Sequence, residues 1–516
     1  MKIITMAARH FLAQIQLFSH HILKFPLYPY QLEPLKAVIH SILHKQGLEI
    51  LLIFPRQSGK NEAIAHLITY LLNIYQRKGG QIVYGAIGDG IGRGITRLEE
   101  RLDNQWNIGR WKKKIRPIRR YLGKAAAVFL SSDPTAYARG ETAHIALIVD
   151  ELQDQDAAHI ESVFTPMRAA NNATAVYLGT VRLSTDALGQ KRKELERLTA
   201  QDGIQRVYIV PTEAVTAQNL AYGAFLRAQV DKYGRNHPII ASEYFLEELD
   251  GTSGLFPPAR RALMQGTHPR QTRPQPHQPI IITIDVGGQD EATTDPIAQL
   301  NNPGRDYTTA TAFTFHRPNN QTLPTYTALD VWNDQGGRHF ESVPGKESVA
   351  SRLLAWVKMW GACHVIIDGT GVGEGMASFF AAALGQKHVT IFKFTGSSKP
   401  QLGSTFLSII ETGRFKYWLD EAPYSDAWWF FVQAAACTYD LAPGAQFDRA
   451  LRWSVPNNHK TNTPTGDVPT HDDRLISSAL IAAADELIVS GAINSGTGQS
   501  ETISPHNPLD LSRHNF

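Results

Sequence analysis

Cysteine is nearly absent: Cys363 and Cys437 are the two in 516 residues. So few and so far apart, they provide neither a disulfide framework nor a zinc cluster, and they suit a reducing compartment. A surplus of one charge is also missing. With 51 Lys and Arg against 48 Asp and Glu the formal net charge is +3, which by itself argues for neither nucleic acid nor an anionic membrane, so such a partner must be argued from local patches. The N-terminal "MKIITMAARHFLAQIQLFSHHILKF" lacks a long apolar core because Arg9, His10, Gln14, Gln16, His20 and His21 interrupt it. It is expected to form an amphipathic helix, neither a signal peptide nor a membrane span. No internal repeat is visible. What remains, 43% apolar and 19% charged residues, is the composition of a soluble globular protein, long enough for two or three domains with sizeable cores.

The first half alternates short β-rich runs with helical periods: "EILLIF", "AIAHLITYLLNIY", "QIVYGAI", "AAVFLSS", "HIALIVDE" and "ATAVYLGT". That alternation predicts an α/β domain over 1–265 with a largely parallel sheet covered by helices, including a helical lid or linker at about 186–250. "GTHPRQTRPQPHQP", Gly266 to Pro279, is proline-rich and without apolar periodicity, and is expected to link this domain to a second at 280–490. There a strand-rich series runs through "IIITIDVGG", "YTTATAFTF", "TYTALDVW", a helix near Ser348–Trp360, "HVIIDGTGVG", "VTIFKF" and a last helix from Asp472. Residues 491–516 are polar and expected to be disordered.

"PRQSGKNE" follows an apolar run and opens a helical pattern with Ile64, Leu67, Ile68 and Leu71 on one face. A strand, a tight glycine turn and a helix start would aim backbone N–H groups and the positive dipole end at a phosphate, with Arg56, Gln57, Ser58, Gly59, Lys60 and Asn61 around it. Gly59 allows close approach, and Lys60 would neutralise the terminal phosphates. Two residues of the G-x-x-x-x-G-K-[ST] loop are missing: Phe54 stands for the first glycine and Asn61 for the magnesium-binding hydroxyl. An amide oxygen can still ligate magnesium or its water, so weakened rather than abolished metal binding is expected. "HIALIVDELQD" is an apolar strand ending in Asp150 and Glu151. Asp150 would hold the magnesium ion of ATP, and Glu151 would orient the water that attacks the γ-phosphate. Upstream, Tyr30 and Gln31 precede a helix in "YPYQLEPLKAVI". A glutamine amide can pair with adenine's Hoogsteen edge while an aromatic ring packs on the base.

In the second half Asp285 ends the strand of "IIITIDVGG", Asp368 ends that of "HVIIDGTGVG", and Asp472 and Asp473 open a helix whose Leu475, Ile476, Ala479 and Leu480 form an apolar stripe. Each acid alone reads most simply as a strand end or a helix cap. Their order says more: an acid on a first strand, two antiparallel-looking strands, a helix, an acid on the next strand, then acids on a late helix. This is the order of a ribonuclease-H-like nuclease with a mixed sheet, in which carboxylates converge on two magnesium or manganese ions that activate water and stabilise the leaving oxygen. Without cations such a cluster repels itself. Asp285, Asp368 and Asp473 are the expected ligands, with Asp472 alternate or additional and His471 in support. The basic run "RWKKKIRPIRRYLGK" places Lys112, Lys113, Lys114, Arg116, Arg119 and Arg120 around Trp111 and Tyr121. It could track DNA phosphates without reading bases; the plain alternative is a solvated charged hairpin.

Together "PRQSGKNE", "LIVDE" and "YLGT" resemble the motor domain of tailed-phage (or prophage) large terminase subunits, ATP-driven packaging enzymes, and "HDDRL…A" is similar to the last acidic motif of the nuclease that follows in that family. The resemblance spans about Tyr28 to Leu487. It implies a P-loop ATPase of the ASCE type, with Arg56 matching the family's arginine before the glycine-lysine pair and acting on charge that develops at the phosphate. It further implies that Gly179 and Thr180 are a coupling segment that senses the γ-phosphate. Arg139 would reach a neighbouring subunit's nucleotide, or else form an ordinary surface salt bridge. The implied work is translocation of double-stranded DNA into a procapsid and metal-dependent cutting of concatemers. The implied partners are the small terminase subunit, the portal, and further copies of the chain in a ring, most readily a pentamer, in the host cytoplasm with no membrane. The segment Gln289–Arg305 is longer than that family leads one to expect. Two rival readings stand beside it. A helicase-nuclease of repair or recombination would need a second motor domain where the acid series stands. An ATP-gated DNA-binding or capsid-assembly protein without chemistry is favoured by Asn61.

Overall fold

The computed structural model describes residues 11–493 except 137–139, 183–184, 250–253, 288–306, 318, 320–321, 336–337, 343–346, 421, 444–448 and 465. Arg139, the insertion Gln289–Arg305 and the tail beyond 493 therefore lie outside the described residues. The chain divides into two compact units, Met1–Val230 with Pro238–Asp250 and Asp231–His237 with Gly251–Phe516. The expected linker Gly266–Pro279 lies within the second of these and is bonded to it: Gly266 N–H donates to the Tyr417 carbonyl (2.7 Å), Gln271 N–H to that of Leu329 (2.9 Å), and Arg270 pairs with Asp330 at 2.7 Å. Proline removes periodicity from such a segment but leaves its other backbone and side-chain donors free to find acceptors.

The first unit is built on eight strands: β1 (Glu49–Ile53), β2 (Gly80–Ala86), β3 (Trp111–Lys114), β4 (Arg119–Leu122), β5 (Ala125–Ser131), β6 (Ala146–Val149), β7 (Thr174–Gly179) and β8 (Val207–Ile209). Their order is β3-β4-β5-β2-β6-β7-β1-β8. The six from β5 to β8 pair in parallel, and β3 and β4 extend the sheet as an antiparallel hairpin. Ile50, Leu51, Leu52 and Ile53 are fully buried, as continuous apolar strands of a helix-covered parallel sheet must be; each such side chain contributes roughly 2 kcal/mol by leaving water. β7 lies between β1 and β6. That insertion of a strand between the phosphate-loop strand and the acid-bearing strand defines the ASCE-type P-loop fold. The stretch expected to be helical up to Leu249 also carries β8, which pairs with β1 at Leu51↔Val207. "RVYIV" is too short and too close to Pro211 to stand out from its helical neighbours.

The second unit holds β9 (Ile280–Asp285), β10 (Thr308–His316), β11 (Thr325–Asp334), β12 (His364–Asp368), β13 (Val389–Phe392) and β14 (Phe415–Lys416), in the order β13-β12-β9-β10-β11-β14. β9, β10 and β11 are antiparallel; β12 and β13 join in parallel on the far side of β9. This mixed sheet has the strand order of the ribonuclease-H-like fold. Ile280, Ile282, Ile284, Val365 and Ile367 meet the helices Val349–Trp360 and Gly373–Leu384 in one core that includes Trp360 and Phe380. Sequence reasoning did not foresee two hairpins near the end of this unit, β15 (Thr438–Pro443) with β16 (Arg449–Ser454) and β17 (Lys460–Thr463) with β18 (Gly466–Pro469). Nor did it foresee the helices Ser398–Glu411 and Asp426–Ala436. Among the described residues no helix is long and apolar enough to cross a membrane.

Candidate functional site

The phosphate loop runs from the end of β1 into the helix Lys60–Tyr75, whose N-cap is Gly59 at φ 90°. Only glycine takes that conformation without strain, and a Cβ there would stand 2.6 Å from the Gln31 Nε2. Gln57, exposed, also has a positive φ of 58°. Buried Ser58 turns back on the loop, its hydroxyl donating to the Pro55 carbonyl at 2.6 Å. Asn61 sits half-buried in the first turn of the helix.

Tyr30 and Gln31 stand against this loop and brace it. The Tyr30 hydroxyl donates to the Ser58 carbonyl (2.9 Å), Gln31 Nε2 donates to the Gly59 carbonyl (3.0 Å), and Gln31 Oε1 accepts from Tyr28 N–H (2.9 Å). Both ends of the Gln31 amide are thus bonded to protein groups, and Gln31 is buried. In this geometry the pair expected to meet adenine also clamps the loop, because the helix capping position of Gln31 sets its amide against Gly59. Arg56 pairs with Glu243 at 2.6 Å, and its backbone N–H and carbonyl are held by the Glu243 carbonyl (2.8 Å) and the Tyr222 hydroxyl (3.0 Å).

Across the sheet, Lys60 Nζ reaches Asp150 Oδ1 at 3.2 Å and Glu151 Oε1 at 2.7 Å. Burial works against the charge on Lys60, but Asp150 and Glu151 outweigh it and hold the amine above its ordinary value. Asp150 also accepts from the Tyr84 hydroxyl (2.6 Å) and from Glu151 N–H (3.0 Å). Burial and the Asp150 carboxylate push the Tyr84 phenol well up. Glu151 carries φ 48°, a left-handed conformation costly for a residue with a Cβ and concentrated at functional positions. Sequence reasoning missed two residues here. Tyr84 lies on a strand with nothing but its neighbours to mark it. Gln153 donates through Nε2 to Glu151 Oε2 (2.7 Å) and accepts through Oε1 from Thr180 N–H (3.3 Å), while the Thr180 hydroxyl donates to the Phe54 carbonyl (3.1 Å). Glutamine two residues beyond the acid pair was the available signal. The loop, the acid pair and the expected coupling segment Gly179–Thr180 therefore form one bonded set.

In the second unit the parallel pairing of β9 with β12, Ile284 opposite Ile367, ends both strands at the same level and brings Asp285 beside Asp368. The helix Asp473–Ala479, with Asp472 as its N-cap, is docked over β9 and β10 by Ser477, which bonds the Thr283 carbonyl (3.2 Å) and the Thr311 hydroxyl (2.8 Å). Tyr307 N–H donates to Asp473 Oδ2 at 3.2 Å, and Leu475 N–H to Gln433 Oε1 at 3.0 Å. Burial and then the charges of Asp473, Asp472 and Asp368 push the Asp285 carboxyl well above the carboxylate range, opposed by Lys399. Burial likewise raises Asp368, against its bonds from Thr370 and the charge of Lys399. Lys399, absent from the sequence reading, lies 3.9 Å from Asp472 and over the rings of Trp453 and Phe394. The expected metal ligands thus act on one another through charge, but not as a finished cage: among the described residues no group of three His, Cys, Asp or Glu is arranged to hold a metal ion. Like charges without a cation between them stand apart.

The basic run forms β3 and β4, with Lys113 opposite Arg120 and Lys114 opposite Arg119. It splits into two classes. Lys112, Lys113, Lys114 and Arg116 are exposed, whereas Arg119 pairs with Glu141 and Arg120 with Glu99, each at 2.6 Å. Arg119 and Arg120, on opposite faces of β4, are thus engaged in bracing ion pairs, whereas the four exposed residues are open to solvent.

No protein-family model matches the chain, and no curated protein matches it. Among solved structures it is similar to the large terminase of a thermophilic bacteriophage (TM-score 0.43, 11% identity, 89% of this chain and 99% of that one). It is similar also to the HK97 bacteriophage large terminase (TM-score 0.37, 12% identity, 92% and 99%) and to the ATPase domain of the Thermus phage P74-26 large terminase (TM-score 0.34, 14% identity, 44% and 95%). The first of these terminases has been solved with ADP and with ATP-gamma-S.

Proposed function

We propose that this chain is the large subunit of a tailed-phage or prophage terminase, hydrolysing ATP in its first unit to move double-stranded DNA into a procapsid and cutting concatemeric DNA in its second. The observation that carries the reading is the reach of Lys60, on the phosphate loop, to the acid pair Asp150–Glu151 at the end of β6, with β7 between. An arriving triphosphate offers Lys60 a stronger anionic partner than two carboxylates already engaged elsewhere. Asp150 would then hold magnesium, directly or through water, Asn61 could add an amide oxygen, and Glu151 would orient the attacking water.

In the second unit Asp285, Asp368 and Asp473, with Asp472, would hold divalent cations, magnesium or manganese. These supply an activated water and a stabilised leaving oxygen for phosphodiester cleavage. The chain's own part would be to supply four hard oxygen donors from two strand ends and one helix start, with half-buried Asp285 held toward its protonated form by desolvation and by the neighbouring carboxylates until a cation arrives. Exposed Lys112, Lys113, Lys114 and Arg116 would meet DNA phosphates. Partners of this role are the small terminase subunit, the portal and further copies in a ring, probed by co-purification. Arg139 belongs to that proposal as a group reaching a neighbour's nucleotide.

Two assays test the reading together. Magnesium-dependent ATP hydrolysis is expected to vanish in Glu151→Ala and persist in Asp368→Ala. Cutting of supercoiled plasmid in magnesium or manganese is expected to do the reverse. Folded protein with neither activity would sink the proposal.

A further inference from the structure

We infer that Asp426 is a positioning residue that holds the Arg474 guanidinium out of the cation site formed by Asp285, Asp368, Asp472 and Asp473. The inference rests on the reading of the second unit as a metal-dependent nuclease. Arg474 follows Asp473 directly, and a permanent cation so placed could satisfy the clustered carboxylates itself and keep metal ions away. In the structure it is spent elsewhere. Buried Arg474 donates through Nε and Nη2 to Asp426 Oδ1, at 3.2 and 2.9 Å. Tyr307 shows how near the alternative lies: its N–H donates to Asp473 Oδ2 at 3.2 Å, and its ring lies 5.4 Å from the Arg474 guanidinium carbon. Burial raises the Tyr307 phenol, and the charges of Arg474, Asp473 and Asp426 all act on it.

Asp426 is built as a seat for that guanidinium. It stands in the first turn of the helix Asp426–Ala436, where the helix dipole favours an anion. Its Oδ1 also accepts from Asn333 Nδ2 at 2.7 Å, and its Oδ2 from Arg270 Nη1 at 3.0 Å. Both of these donors are themselves held. The Thr309 hydroxyl fixes Asn333 through Oδ1 (3.0 Å), while Asp330 and the Val331 carbonyl fix Arg270 (2.7 and 2.9 Å). The same helix presents Gln433 to Leu475 N–H, so residues 474 and 475 are tied to it together, one through charge and one through the backbone. One carboxylate thus serves two guanidinium groups. Without it both are short of an anion, and Arg474 has the acids at its own helix start to turn to.

The test measures Mn2+ binding by the loss of the free-ion EPR signal, counting the part that disappears in Asp368→Ala, beside the Mn2+ dependence of plasmid cutting. Asp426→Asn is expected to weaken Mn2+ binding about ten-fold, the effect of one competing ion pair, and to raise the Mn2+ needed for half-maximal cutting by the same factor. Adding Arg474→Met to Asp426→Asn is expected to restore both, because the competing cation is gone. A double variant that binds Mn2+ no better than Asp426→Asn overturns the inference. Should Asp426→Asn not fold, position 474 decides with Asp426 intact. Lysine cannot make the guanidinium's two-nitrogen contact and keeps a charge free to stray, so Arg474→Lys is expected to bind Mn2+ more weakly than Arg474→Met. The reverse order, which a merely structural arginine would give, overturns the inference. Wild type with no Mn2+ binding that depends on Asp368 would instead strike the nuclease reading, so the two failures are distinguishable.

Discussion

Each unit gathers acids at strand ends and sets a lysine beside them, and the two do so with opposite results. In the first, Lys60 lies within 3.2 Å of both Asp150 and Glu151, and Tyr84 and Gln153 take further carboxylate oxygens. Both carboxylates are met inside the protein by one cation and two neutral donors. In the second, Lys399 stands 3.9 Å from one of four carboxylates, and Asp285 is driven toward its protonated form. Under the proposed function the first site would trade its lysine for a nucleotide, and the second would take up cations.

The contrast can be broken most directly at its lysines. Lys60→Met is expected to lower ATP turnover by about 10²-fold or more, since it removes a preorganised positive charge from developing phosphate charge, and to leave plasmid cutting intact. Equal loss of both activities would mean that the units fail together. The next largest effect should appear in stability against pH. Asp285 keeps its proton in the folded metal-free protein at pH values where the unfolded chain has lost it. That contribution is fully present below the ordinary aspartate range and is lost as pH rises toward the raised folded value. In chelator, the melting temperature should therefore fall with rising pH over this window, Asp285→Asn should flatten the fall, and added manganese should offset it. A slope unchanged by the substitution would place Asp285 in water.

Smaller effects sharpen the picture of the basic hairpin. Replacing Lys112, Lys113 and Lys114 with alanine should weaken DNA binding and reduce its salt slope by up to about 3 if each lysine meets a phosphate. Arg120→Ala should cost only ~1 kcal/mol of stability, as for a partly buried surface pair, and should leave the salt slope alone. Fluorescence anisotropy across a salt series reads both.

The central strands of both sheets were legible because buried strands leave continuous apolar runs, as in "EILLIF" and "IIITID", and acids at their ends stand out against such a background. The convergence of Asp285 with Asp368 followed from strand order alone. What escaped was contributed by side chains whose neighbours come from distant sequence. Gln31 gave no sign that its amide would be spent on Gly59, nor Arg119 and Arg120 that Glu141 and Glu99 would claim them. Lys399 lies on a helix with no acid nearby in sequence. β8 was lost because three residues of strand carry too little pattern to outweigh the helices beside them.

The helix that begins at Asp473 comes late in the chain, and Ser477 fastens it to Thr283 and Thr311 on strands made long before. During translation β9 and β12 emerge with their two aspartates while that helix is still unmade. The acidic cluster is thus incomplete for most of the time the second unit is being synthesised, and it is completed only when this late helix reaches the sheet. A nascent chain stalled short of Asp472 carries the strands of this unit but not its full set of carboxylates.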